Sequence, residues 1–136
     1  MGDQSSGLAI LLTGGTLDKI TSAAYLAASA VAMGRRVSLF FSWEPLLRLS
    51  RGTLGEAPIP SGSSLDESSI RAAMAGQPGP DALLADLREA GMKIYACTAT
   101  MKMLCLDEKD LADRVDEFSG ATAFLAMAED CQILSF

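Results

Sequence analysis

A chain of 136 residues with a net charge of −6, about half of it apolar, has the size and core content of one compact domain, spanning 1–136. The acidic balance excludes the basic surface that nucleic acid demands and the polybasic cluster that an anionic membrane surface attracts. No apolar run approaches the ~20 residues needed to span a bilayer.

The first residues, M-G-D-Q-S-S-G, lack the basic start and cleavage site of a secretory signal. Met1-Gly2-Asp3 followed by Ser6 loosely matches a myristoylation pattern, but no second lipid signal or basic patch accompanies it. Leu8 to Thr13 is a short continuous apolar run closed by Gly14-Gly15, which predicts a buried parallel strand. Thr16 or Asp18 then caps a helix through Ile20, Ala23, Ala24, Ala27, Ala30 and Val31. Gly34 fits the left-handed position after that helix, and Val37 to Ser42 is the second strand. Together these form a βαβ unit whose crossover should be right-handed. Trp43, Leu46 and Leu47 follow, either as exposed apolar loop residues or as a buried strand-to-helix connection.

From Gly55 to Pro80 the composition turns to proline, glycine and serine, with one weak helix at about Leu65 to Met74. So long a stretch is unusual inside a compact domain, and we read 55–80 as a mobile excursion rather than a boundary. Pro80-Asp81 opens a helix with Leu83, Leu84, Leu87 and Ala90 on one face, ended by Gly91. Lys93 to Cys97 is the next strand. Asp107 caps a helix through Leu111, Val115 and Phe118, Gly120 ends it, and Ala121 to Ala128 forms a last short helix. Gln132 to Phe136 closes the chain as a strand. Alternating strands and helices predict a three-layer α/β/α fold around an open, mainly parallel sheet of about five strands, flavodoxin-like in appearance.

In such sheets, reactive groups gather outside the carboxyl ends of the strands. Cys97 is the last residue of its predicted strand, so its thiol belongs on that rim. Thr98 and the amides after it, with Lys102 and Thr100 nearby, can favour a thiolate there. A reactive Cys97 and a packed one both satisfy this placement. Cys131 stands at the entry of its strand. If that strand is parallel to the others, Cys131 lies on the opposite rim, ~17–20 Å away, beyond the ~7 Å that a disulfide allows between Cα atoms. It is therefore expected to be a core thiol. Cys105, eight residues after Cys97, is either a partner thiol or a packed one. Three cysteines at irregular spacing do not make a disulfide framework and suit the reducing cytoplasm.

The run C-x-x-x-M-x-M-x-C offers soft sulfur ligands, but the methionines fit a core-facing helix turn and the chain has no histidine. No metal or resident cofactor is expected. Thr13-Gly14-Gly15-Thr16 opens a helix where phosphates are often cradled, yet it is neither G-x-G-x-x-G nor a Walker loop. A tight turn for close packing explains it as well as a flavodoxin-like site for a small anion or nucleotide. Without histidine, hydrolases built on Ser-His-Asp or Cys-His are excluded.

The segment L-D-K-I-T-S-A-A-Y-L-A-A-S-A-V-A-M-G-R-R-V-S-L-F-F-S-W resembles the first helix and second strand of DsrE/DsrF-like proteins. The resemblance continues at G-M-K-I-Y-A-C-T-A-T-M, then K-D-L, G-A-T-A-F-L and the final L-S-F. It implies a small oligomerising α/β domain that carries sulfur as a cysteine persulfide or thiosulfonate. The family's carrier cysteine falls on Cys97, and a second cysteine of the stand-alone DsrE-like branch falls on Cys105. The candidate substrate-binding residues are Thr98, Thr100 and Lys102 after Cys97, and Thr13, Gly14 and Gly15 at the turn after the first strand. Implied partners are TusA-like or rhodanese-like sulfur-transfer proteins and small compounds such as thiosulfate or polysulfide. Trp43-Glu44-Pro45 departs from the aromatic-glycine pair that relatives often carry. A thiol redox sensor using Cys97 and Cys105 is the remaining alternative from the residues themselves.

Overall fold

The computed structural model describes residues 6–136, so Met1-Gly2-Asp3 of the myristoylation-like pattern lie outside the described residues. Five strands form one sheet: β1 (Gly7–Leu12), β2 (Val37–Phe41), β3 (Lys93–Cys97), β4 (Glu117–Ser119) and β5 (Cys131–Ser135). Their order is β4-β3-β2-β1-β5, and every neighbouring pair is parallel. The helices are α1 (Leu17–Ala32), α2 (Trp43–Arg51), α3 (Glu67–Met74), α4 (Pro80–Glu89), α5 (Thr98–Met103) and α6 (Ala121–Met127). The expected α/β/α layering is present.

Strand side chains alternate between faces. One face carries Leu8, Ile10, Leu12, Val37, Leu39, Phe41, Ile94 and Ala96, buried beneath α1, α2, α4 and α5. The other carries Ala9, Phe40 and Tyr95, covered by Phe124 and Ala128 at α6. Chain direction accounts for this division. From β1 to β4 the chain steps one way across the sheet, then returns past β1 to β5. Right-handed crossovers in opposite directions must lie on opposite faces.

One expectation is corrected. The helix expected from Asp107 through Phe118 is only a 3₁₀ turn, Glu108–Asp110, and Phe118 lies in β4. Asp107 does cap, in a capping box with Asp110, but the following backbone is captured by β3. Asp116 N–H donates to Ile94 O at 2.8 Å, and the Asp116 carboxylate accepts from Ile94 N–H at 2.7 Å. Of the two readings left open for Leu46, the structure takes the buried strand-to-helix connection, and the side chain is fully buried. Pro45, Leu46 and Leu49 form the inner face of α2, and Gly52 ends that helix in the left-handed conformation. Trp43 remains exposed and Leu47 is half-buried.

Residues 55–80 are tied at several points. Leu17 N–H donates to Pro58 O, and Arg71 of α3 reaches Gly55 O and Ala57 O, both at 2.8 Å. Ala57 is fully buried. The weak helix of this stretch is α3, beginning two residues later than its expected start.

β4 has three residues and one strand neighbour, so its attachment depends on Asp116. Arg88 of α4 forks onto the same carboxylate at 2.9 and 3.2 Å. Burial pushes the Asp116 carboxyl up, but the bonds from Arg88 and the Ile94 amide outweigh it and hold it below its ordinary value. A depressed carboxylate stabilises the fold above its unfolded pKa of ~3.9, and that contribution is lost as pH falls through the lower folded value. Asp116→Asn should cost about 1–3 kcal/mol at neutral pH, the range for hydrogen bonds to a charged group. Urea titrations should show the gap from wild type closing as pH drops below ~4; a gap independent of pH would sink this account.

Candidate functional site

Adjacent strands whose following helices leave on opposite faces leave a crevice between their carboxyl ends, where open α/β sheets bind ligands. Here that point lies between β3, followed by α5, and β4, followed by α6. Cys97 is the last residue of β3 and the N-cap of α5. Its register partner across the crevice is Ser119, the last residue of β4. Both side chains project on the α6 face. The floor there is Phe40, Tyr95 and Phe124, against which Cys97 packs while staying half-exposed. The Phe40 and Phe124 rings meet at 4.7 Å, tilted by 49°. Burial, then the Glu117 carboxylate, pushes the Tyr95 phenol above its ordinary value, keeping it neutral.

The thiol makes no capping hydrogen bond to the amides of α5. Ser119 Oγ is buried and has no hydrogen-bond partner. Thr98 is exposed at the start of α5, close to the start of α6: a Cβ on Gly120 would lie 3.8 Å from Thr98 Oγ1. Thr100 is buried, and its Oγ1 accepts the Trp43 N–H at 3.4 Å, tying the end of β2 to α5. Trp43 holds φ 52°, a strained conformation for a bulky residue, and its side chain stands half in solvent beside the rim. Lys102 is exposed further along α5.

The other expected site residues separate from Cys97. Thr13 N–H, Thr13 Oγ1 and Gly14 N–H all donate to Phe136 O, at 2.9–3.1 Å. The Lys19 side chain lies over Gly14, and the Glu44 side chain lies so close to Gly15 that a Cβ there would clash at 2.5 Å. Close packing against Glu44 accounts for Gly15, whereas the nearest atoms over Gly14 belong to the flexible Lys19 side chain.

Cys105 lies beyond the far end of α5. Eight residues at the helical rise place it about 12 Å from Cys97 along the axis, outside disulfide range unless α5 unwinds. All three cysteines are free. Met101 is buried in the larger core and Met103 is exposed, so the sulfur atoms of this run do not converge. Among the described residues, no group of three or more His, Cys, Asp or Glu side chains is placed to hold a metal ion. Cys131 begins β5 on the opposite rim from Cys97, as expected, and Arg36 donates to its sulfur at 3.6 Å.

Ser119 and the strained Trp43 were not legible as site residues. The three-residue strand Glu117-Phe118-Ser119 is too short for alternation to declare itself, and strain at Trp43 has no sequence signature.

The fold and site define a class: an open, all-parallel α/β sheet with a half-exposed cysteine at its switch point. Residues 70–136, from within α3 to the last residue, match the DsrE/DsrF/DrsH-like family, and this part of the chain is similar to DsrE-like proteins. Over its whole length it is 28% identical, across 162 aligned residues, to "Uncharacterized protein YrkE" of Bacillus subtilis (strain 168), 99% of which is covered. The fold is similar to a solved structure titled as the protein of unknown function MTH1491 from Methanobacterium thermoautotrophicum (TM-score 0.61, 13% identity, 97% of this chain and 100% of that one). It is also similar to that of BT1422 from Bacteroides thetaiotaomicron (TM-score 0.59, 12% identity, 96% and 95%). At those identities the likeness concerns the fold.

Cys105 holds φ 56°, with its N–H on Lys102 O at 3.3 Å and Leu106 N–H on Met101 O at 2.9 Å. This is a Schellman ending with cysteine where glycine is the usual residue. Cys105→Gly should raise stability by about 1 kcal/mol, because left-handed backbone penalises a Cβ by that order. The midpoint of urea unfolding should rise; an unchanged or lower midpoint would contradict the assignment of strain.

Proposed function

We propose that the protein is a sulfur carrier that holds sulfane sulfur on Cys97 as a persulfide or thiosulfonate and passes it to a partner protein. The observation that carries this reading is the position of Cys97: a half-exposed thiol at the switch-point crevice, following the three buried residues Ile94 to Ala96 of its strand. The match of residues 70–136 to the DsrE/DsrF/DrsH-like family supports a sulfur-relay context.

The step needs no oxidant. Cys97 thiolate attacks the sulfane sulfur of a donor such as thiosulfate. A new S–S bond forms on Cys97, the donor's S–S bond breaks, and sulfite leaves with the electron pair. With tetrathionate the same attack leaves a thiosulfonate on Cys97 and releases thiosulfate. Transfer onward is attack on the outer sulfur by an acceptor thiolate, which restores Cys97. TusA-like or rhodanese-like proteins fit the acceptor or donor role. A cytoplasmic setting suits a carrier with three free thiols. No helix among the described residues is long and apolar enough to cross a membrane. In this reading Cys105 acts on other molecules, because α5 separates it from Cys97.

Two observations weigh against the alternatives. An anion or nucleotide site at Thr13–Thr16 would compete with Phe136 O for the Thr13 and Gly14 amides. A Cys97–Cys105 sensor disulfide would require unwinding α5. Intact-mass analysis after thiosulfate, tetrathionate or polysulfide should show uptake by wild type and by Cys131→Ser, and none by Cys97→Ser. Equal uptake by Cys97→Ser would remove Cys97 from the role.

The chain is also proposed to form homo-oligomers. Parallel sheets are normally covered on both faces, yet Ile133 on β5 is 48% exposed and Leu125 on α6 is 63% exposed. Sedimentation at micromolar concentration should give more than a monomer, and Leu125→Glu should shift the distribution towards monomer. A purely monomeric wild type contradicts this.

A further inference from the structure

We propose that Ser119 is the residue that holds the sulfur delivered to Cys97, its hydroxyl donating to the outer sulfur of the persulfide or to a thiosulfonate oxygen. The inference rests on the carrier reading and adds to it a second residue, from a different strand.

Buried polar atoms in folded proteins are overwhelmingly paired, and an orphan calls for a specific explanation. Ser119 Oγ is one of five buried side-chain polar atoms without a partner among the described residues, and it is the one whose residue is paired in register with Cys97. The main-chain pairing of β3 with β4 holds whatever side chain stands at this position. The residue is the register partner of Cys97, so the two side chains stand on the same face, one interstrand spacing of ~4.8 Å apart. No hydrogen bond joins Cys97 Sγ to Ser119 Oγ in the unloaded protein. An added sulfur extends Cys97 by an S–S bond of ~2.05 Å. A persulfide or thiosulfonate is anionic and supplies the acceptor that Ser119 lacks. The same crevice lies between the starts of α5 and α6. Ser119 is thus a substrate-holding residue, and the loaded state satisfies a donor that the free state leaves unpaired.

The test loads wild type, Ser119→Ala and Ser119→Thr with sodium polysulfide, removes the excess, and follows loss of the sulfur adduct to dithiothreitol by intact mass. Ser119→Ala should lose sulfur about tenfold faster than wild type, the rate ratio expected when one hydrogen bond to a charged group is removed. Ser119→Thr, which keeps a hydroxyl and suits a strand, should retain the wild-type rate. Thermal midpoints of unloaded Ser119→Ala should equal or exceed wild type, since an unpaired buried hydroxyl is removed. Ser119→Ala releasing sulfur at the wild-type rate overturns the inference while leaving the carrier reading intact. A lowered midpoint in Ser119→Ala with fast release that Ser119→Thr does not rescue also overturns it, by showing a structural role. If wild type takes up no sulfur, both readings fall together.

Discussion

The handedness of parallel crossovers is the constraint on which this molecule depends. β1 to β4 are laid down in one direction, and their connections must pass over one face. The return to β5 reverses direction, so α6 must pass over the other. The change of face occurs between β3 and β4, and it opens the sheet at the carboxyl ends of those two strands. Cys97 and Ser119 are the residues standing there. A cysteine one strand over, at the end of β2, would have helices leaving on the same face to either side of it and no crevice.

The crevice is held by few contacts. β4 is three residues long and sits at the sheet edge, and its position relative to β3 follows from Asp116, which bonds both main-chain groups of Ile94 and pairs with Arg88. On the other side, Thr100 accepts the Trp43 amide and binds the end of β2 to the helix that starts at Cys97. These polar ties reach the site from both neighbouring strands, while α5 carries only two buried side chains into the core. Backbone strain flanks the same segment, at Trp43 before it and at Cys105 after it. Left-handed backbone at two non-glycine residues around one short helix is the pattern expected where geometry is held for chemistry rather than for stability.

Much of the architecture was legible in the sequence, because the larger face of the sheet is built from strongly periodic elements. The apolar run Leu8–Leu12, the alanine face of α1 closed by Gly34, and the α4 helix between Pro80 and Gly91 each carry their own start and stop signals. Cys97 at a strand end was legible for the same reason. Asp107 was read correctly as a cap, but the helix drawn after it was not. An acidic cap followed by Leu111, Val115 and Phe118 has helical spacing, and local periodicity cannot register that Ile94, far along the chain, captures Asp116 and extends the next three residues. In α2 the sequence W-E-P-L-L-R-L-S-R left burial open, since proline at the third position and several apolar residues suit a loop as well as a first turn.

The sequence by itself determined which residues are chemically able to act: no histidine, three cysteines, and one of those at the end of an apolar strand. It also determined the α/β class, because helix and strand periods and glycine stops are local properties of the chain. Only the tertiary structure decided which neighbours that cysteine has. It set Cys105 beyond the far end of a helix, occupied the Thr13–Gly14 amides with Phe136, and brought Ser119 across from another strand. Strand register and crossover face are set by packing between segments distant in sequence, and no local pattern records them.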